Sequence, residues 1–215
     1  MAPGRSGPRS LRRRVPAART LAPARRIMSV LLVIAGPSGV GKGTIARRLL
    51  ARNPQMWLSV SATTRKPRAG ERHGREYLFL APAEFEQRMN AGDFLEAFDV
   101  FDARYGTPRA PVEEHLAAGD DVLFEVDVKG AHAIKAAFPD ALLIFITPPS
   151  RDTLRQRLHD RDPSAAPEEL ERRLAEAEAE EARATSFDAV VVNDELERAV
   201  EEIAALLDER RRLQA

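Results

Sequence analysis

The segment Gly36-Pro37-Ser38-Gly39-Val40-Gly41-Lys42 stands between an apolar run, residues 30–35, and a stretch, residues 44–52, that places Ile45, Leu49 and Leu50 on one side of a helix. Strand, glycine turn and helix in that order form the context of a phosphate-binding loop. Glycines let successive backbone N–H groups converge on phosphate oxygens, and the helix N-terminus adds favourable partial charge. Lys42 is placed to reach between β- and γ-phosphates. The residue after it, where a hydroxyl usually ligates Mg²⁺, is Gly43, and Thr44 follows. The metal is therefore expected to be held largely through water and nucleotide oxygens, with Thr44 contacting the α-phosphate side.

The rest of the chain alternates strands with helices. Strands are predicted over 58–63, 77–80, 94–101, 121–126, 141–147 and 187–192, with residues 65–75 a charged Pro/Gly loop. Helices are predicted over 82–90, from Thr107-Pro108 to residue 118, over 130–137, from a Ser150 cap to residue 160, and over 168–184. Asp194 and Glu197 resemble a capping box for the last helix. This alternation implies a parallel sheet with helices on both faces. Residues 58–109 depart from it and are read as an inserted lobe. The charged helix 168–184 reads as a lid rather than core.

Net charge is zero, from 33 basic and 33 acidic side chains, but residues 1–28 alone carry +8 and the remainder −8. The leader is rich in Arg, Pro and Ala and has no apolar period, so disorder is expected, with the folded part starting at Met28. A nucleic-acid arm and a targeting segment are the alternatives; a leader without function is favoured. The absence of cysteine excludes disulfides and thiolate chemistry. No apolar run approaches the ~20 residues of a membrane span. A cytoplasmic setting, with no membrane or nucleic-acid partner, is expected.

The ordered motifs are the glycine loop, the segment 61–71 with Gly74, Tyr77 and Phe79, then Tyr105-Gly106-Thr107, Glu125-Val126-Asp127, Pro148-Pro149-Ser150 and Val192-Asn193-Asp194. Together they resemble the guanylate kinase family over about residues 30–211. The resemblance implies an α/β P-loop fold with a five-stranded parallel sheet. It also implies a core of residues 29–60, 109–150 and 186–215, a GMP-binding lobe at 61–108 and a helical lid at 151–185. It implies ATP-Mg²⁺ and GMP, with dGMP beside it, as substrates, and in-line phosphoryl transfer without a covalent intermediate. Oligomeric state is not legible.

The resemblance also distributes roles. Gly36, Pro37, Ser38, Gly39, Val40, Gly41, Lys42, Gly43 and Thr44 would hold ATP, with Asn193 and Asp194 either near the adenine pocket or merely capping the last helix. Arg65 and Arg68 would clamp the GMP phosphate, where guanidinium forks suit a dianion, with Tyr77 and Tyr105 adding hydroxyls and Glu71 orienting the arginines. Glu96 would accept from the guanine N1–H and 2-amino group, which adenine cannot match. Ser61 and Thr107 can donate to guanine O6, although Thr107 also fits a helix cap. Glu125 and Asp127, expected two apart on one strand and so on one side, would serve the metal or a clamping arginine and the acceptor. The family often has aspartate at both. Mg²⁺ would use water and phosphates, with Thr44 or Asp127 as protein contacts. Lys42, Arg65, Arg157, Arg161 and Arg173 are the expected catalytic cations; Arg151, Arg155 and Arg172 lie close enough in sequence to exchange roles with them. A kinase for another monophosphate and a non-catalytic binding module are the competing readings.

Overall fold

The computed structural model describes residues 29–68, 70–100 and 102–214. The leader expected at 1–28, and the Phe101 end of the predicted third strand, lie outside them.

In chain order, β1 (Leu31–Ala35) runs into the glycine loop and α1 (Lys42–Arg52), followed by the short strands β2 (Met56–Leu58), β3 (Ala62–Thr63) and β4 (Leu78–Phe79). Helix α2 (Pro82–Asn90), strands β5 (Phe94–Val100) and β6 (Ala103–Pro108) and helix α3 (Arg109–Ala118) come next. Then follow β7 (Asp121–Glu125), α4 (Val128–Ala137), β8 (Leu142–Thr147), α5 (Arg151–Arg161), α6 (Pro167–Glu181), β9 (Ala189–Val192) and α7 (Leu196–Gln214).

Five strands form one parallel sheet in the order β2-β7-β1-β8-β9. Its middle strand, β1, is apolar throughout because both faces are covered. Alternation along β1 sends Leu32 and Ile34 to one face, where they pack with Ile45 and Leu49 of α1 and Val200, Ile203 and Leu207 of α7. Leu31, Val33 and Ala35 face the other side, against Val112, Ala131 and Ile134 of α3 and α4. Each fully buried Leu, Ile or Phe contributes roughly 1.5–3 kcal/mol by leaving water. Asp121 anchors one end of the sheet. Its Oδ1 accepts from the Val30 N–H at 2.8 Å, and its Oδ2 pairs with Arg211 of α7 at 2.5 Å.

The second sheet, β4-β3-β6-β5, is mixed and covers a small core in which Phe85 stacks on Phe94 at 4.7 Å. Here the structure departs from the sequence reading. The strand expected over 58–63 is two strands, β2 and β3, belonging to different sheets. Strand β6, which carries Tyr105 and Thr107, was not anticipated, because its glycine and proline argue locally against a strand. Thr107 is consequently a strand residue, and α3 begins after Pro108 with no side-chain cap. Strand β7 ends at Glu125, and Asp127 is the N-cap of α4, its Oδ1 accepting from the Gly130 N–H at 2.7 Å. Asp194 does not form the expected box with Glu197; it accepts from the Glu195 N–H at 2.6 Å and pairs with Arg198. Among the described residues no helix is long and apolar enough to cross a membrane.

Candidate active site

The glycine loop lies at the C-terminal edge of the parallel sheet, and its backbone cannot be built from other residues. Gly36 has φ 139°, and a Cβ there would come within 2.1 Å of the Ile146 carbonyl oxygen on β8. Gly41 has φ 103°, and a Cβ there would meet the Asn193 amide at 2.5 Å. Lys42 opens α1, and its ammonium donates to the Gly36 and Pro37 carbonyls at 2.5 and 3.0 Å. Burial lowers the pKa of Lys42, partly offset by Glu125, Glu180 and Asp127.

A cleft of about 940 Å³ runs from this loop to the mixed sheet. That volume accommodates nucleotide-sized ligands. On the mixed-sheet side Arg65 is tied at three points: its Nη2 donates to Glu71 at 2.9 Å, its Nε to the Tyr105 hydroxyl at 3.3 Å, and its Nη1 to the Lys66 carbonyl at 2.8 Å. Glu71 also accepts from the Arg68 N–H at 2.7 Å, which holds the 65–71 loop in shape. The Arg65 guanidinium sits 5.4 Å from the centre of the Tyr77 ring. Burial, with Glu125 and Tyr105 nearby, raises the Tyr77 hydroxyl to about 12, so it stays protonated and able to donate. Glu96 on β5 stands opposite Thr107 on β6 and accepts its hydroxyl at 2.5 Å. Burial raises Glu96 to about 7 even though the Thr107 bonds lower it.

The third wall comes from the end of β7 and from α5 and α6. Glu125, half-buried, is raised by burial and lowered by Lys42, Arg47 and Arg161. Arg157 and Arg161 share one face of α5 and both reach the cleft. Arg157 donates to the Val40 carbonyl at 3.2 Å and to the Asn193 carbonyl at 3.0 Å. Arg161 is lowered by burial and by Arg68 and Arg173, cations that converge on the same space. Arg173 pairs with Glu169 one turn earlier on α6. Such a concentration of cations suits bound phosphates. Among the described residues no group of three or more His, Cys, Asp or Glu is disposed to hold a metal by itself.

Most of the residues expected to bind or react therefore meet in one cleft: the glycine loop and Thr44, then Ser61, Arg65, Arg68, Glu71, Tyr77, Glu96 and Tyr105, then Glu125, Asp127, Arg157, Arg161 and Arg173. Three do not line it. Val40 is buried in the core. Thr107 is fully buried behind Glu96. Asn193 is buried, with its amide donating to the Val40 carbonyl at 2.7 Å, so it backs the loop instead of facing the cleft. Sequence reasoning missed Arg47, Lys66, Glu176 and Glu180, all of which line the cleft. Glu176 and Glu180 follow Arg173 by three and seven residues, a helical spacing that could have placed them on its face. Glu180 is raised by burial to about 7.

A family model described as Guanylate kinase matches residues 28–210. The chain is 51% identical over 187 residues to the guanylate kinase of Gloeobacter violaceus, covering 87% of this chain and 91% of that protein. It is 48% identical over 178 residues to the guanylate kinase of Symbiobacterium thermophilum, covering 83% of this chain and 84% of that one. Among solved structures, the crystal structure of guanylate kinase from Anaplasma phagocytophilum matches with a TM-score of 0.73 at 30% identity, over 86% of this chain and 88% of that chain.

Proposed function

The chain belongs to the guanylate kinase family, and from that premise we propose how its residues transfer the terminal phosphoryl group of ATP to GMP, giving ADP and GDP. The triphosphate lies on the glycine loop, with backbone N–H groups and Lys42 around the β- and γ-phosphates. The GMP phosphate lies between Arg65, Arg68, Tyr77 and Tyr105. Its guanine meets Glu96 and Ser61, and Thr107 acts through Glu96 by orienting the carboxylate. An oxygen of the GMP phosphate attacks the γ-phosphorus in line as the bond to the ADP oxygen breaks. The nucleophile is already anionic, so no general base is required. Phosphoryl transfer depends on positioning and charge neutralisation, which Lys42, Arg161 and Arg173 supply, while Arg157 holds the loop through Val40 and Asn193. Mg²⁺, when bound with ATP, neutralises phosphate charge; Glu125, Asp127 and Thr44 are the oxygen donors within reach. Helix α6 serves as the lid that brings Arg173 over the reacting phosphates and excludes water. The mixed sheet serves as the GMP lobe, and the parallel sheet as the ATP-binding core. A cytoplasmic site of action fits this chemistry.

The observation that carries these assignments is the cleft itself, where the Lys42 loop, the Arg65–Tyr105 clamp and the Glu96 carboxylate share one volume. The test is ADP release from ATP-Mg²⁺ with GMP, AMP, CMP, UMP or no acceptor. Turnover with GMP far above the other acceptors is expected. Equal turnover with AMP would overturn the Glu96 assignment, and ADP release without acceptor would overturn the water-excluding lid.

A further inference from the structure

Gly43 and Glu125 face each other across the start of α1 and the end of β7. A Cβ on Gly43 would lie 3.4 Å from both carboxylate oxygens of Glu125. A serine hydroxyl at position 43, one bond beyond that Cβ, would therefore project into the space the Glu125 carboxylate borders. Position 43 follows the loop lysine and is where a phosphate-binding loop ordinarily offers its metal-ligating hydroxyl. This chain has no side chain there.

Each of the other oxygen donors nearby already makes one hydrogen bond of its own, which leaves it a second oxygen or lone pair. Thr44 is the next residue of α1, so its side chain is turned by about 100° around the helix axis from position 43. Its hydroxyl accepts from Arg47 at 3.1 Å. Asp127 caps α4 through the Gly130 N–H at 2.7 Å. Glu125, in contrast, takes part in no hydrogen bond or ion pair among the described residues, although it is half-buried and lines the cleft. Its length matters as well. An aspartate at 125 would withdraw the carboxylate by one methylene and leave the space beside Gly43 empty.

We propose that Glu125 supplies, toward the nucleotide-bound Mg²⁺, the oxygen that Gly43 cannot, so that residues 43 and 125 form one compensating pair. The proposal rests on the nucleotide reading of the glycine loop. It makes Glu125 a metal ligand specific to a loop of the form Gly-Lys-Gly, and it predicts that glycine at 43 and glutamate at 125 must change together.

The experiment uses the full chain and the variants Glu125→Asp, Gly43→Ser and the double variant. ADP affinity is measured by calorimetry in EDTA, and Mn²⁺ affinity of the ADP-saturated protein by the free-Mn²⁺ electron paramagnetic resonance signal. Glu125→Asp is expected to weaken Mn²⁺ binding at least about tenfold, since even the outer-shell partners of metal ligands cost that much when changed, while ADP affinity in EDTA stays within about threefold. Gly43→Ser alone is expected to weaken Mn²⁺ by crowding the carboxylate. The double variant is expected to recover to within about threefold of the parent, a coupling far from additive. If Glu125→Asp does not fold, Glu125→Gln, of unchanged length, carries the same expectation. Unchanged Mn²⁺ affinity in Glu125→Asp, or a double variant no better than the worse single one, overturns the proposal. Failure of the parent to bind ADP at all overturns the nucleotide reading and the proposal with it; normal ADP binding with unaltered Mn²⁺ binding overturns the proposal alone.

Discussion

Thr107 donates its hydroxyl to Glu96 at 2.5 Å from the residue directly opposite in the antiparallel pair of β5 and β6. The threonine is fully buried, so this bond is its outlet, and it holds the carboxylate of Glu96, which lines the cleft. Replacing Glu96 by Gln substitutes an N–H₂ where guanine needs an acceptor. A rise in the KM for GMP of about 10²-fold is expected, since a buried site leaves mismatched donors unpaired. Thr107→Val, which leaves Glu96 in place but unoriented, should raise KM by about fivefold to tenfold, roughly one hydrogen bond, with kcat nearly unchanged. Steady-state kinetics with GMP varied at saturating ATP separate the two.

Glu96 also makes stability and binding respond to pH in opposite senses. Burial raises its pKa to about 7 against an ordinary value of 4.5, with Asp127 adding to the rise and the Thr107 bonds opposing it. A carboxyl raised in the folded state binds more protons there than in the unfolded chain. Its contribution to stability is therefore complete below pH 4.5 and is lost as pH rises toward 7, on the order of 3 kcal/mol in all. Glu180, raised to about 7 by its own burial, acts in the same direction. The melting temperature of the ligand-free protein should fall between pH 5 and 8 more steeply in the parent than in Glu96→Gln. GMP affinity should instead strengthen over the same window if ionised Glu96 is the acceptor proposed for guanine. Scanning calorimetry and titration with GMP check the two signs.

Arg65 is held in place by Glu71 and Tyr105. Glu71→Gln keeps the shape but removes the charge that orients the guanidinium. It should raise the KM for GMP by about tenfold with a smaller effect on kcat, whereas Arg65→Lys, which loses the fork, should lower kcat/KM by about 10²-fold. Initial rates across a GMP series distinguish a positioning loss from a loss of the clamp.

Asn193 holds the glycine loop from behind, through its amide to the Val40 carbonyl and its own carbonyl to Arg157. Asn193→Ala removes the buried hydrogen bond from the side-chain amide to the Val40 carbonyl, keeps the main-chain carbonyl that accepts from Arg157, and opens a small gap beside Gly41, with an expected cost of about 1–3 kcal/mol in denaturant unfolding. ATP affinity should fall with it, while GMP affinity measured without ATP should stay near the parent value. Equal losses for both nucleotides would show that Asn193 supports the whole cleft.

The secondary structure was legible where it follows from local pattern. Helix α2 and the apolar strands β1 and β8 stand where periodicity puts them. Strand β6 was not legible, because Gly106 and Pro108 discourage a strand locally and only pairing with β3 and β5 creates one. Thr107 shows the same limit: Thr-Pro is an N-cap signal in isolation, and the hydroxyl finds Glu96 only once β5 lies alongside.

The order Gly-Pro-Ser-Gly-Val-Gly-Lys between an apolar run and a helix was enough to specify a strand, a glycine turn and a helix, because the conformations the turn needs are ones glycine alone adopts without strain. The motifs arranged after it were enough to identify the family. Which donors remain available to a ligand was decided only by the tertiary structure. Asn193 turned inward to the Val40 carbonyl, one oxygen of Asp127 went to the end of a helix, and Glu125, opposite a glycine, makes no hydrogen bond or ion pair among the described residues. A side chain's chemistry is written in the sequence, but its hydrogen-bonding capacity is shared out among neighbours that are distant in the chain and meet only when the strands and helices pack.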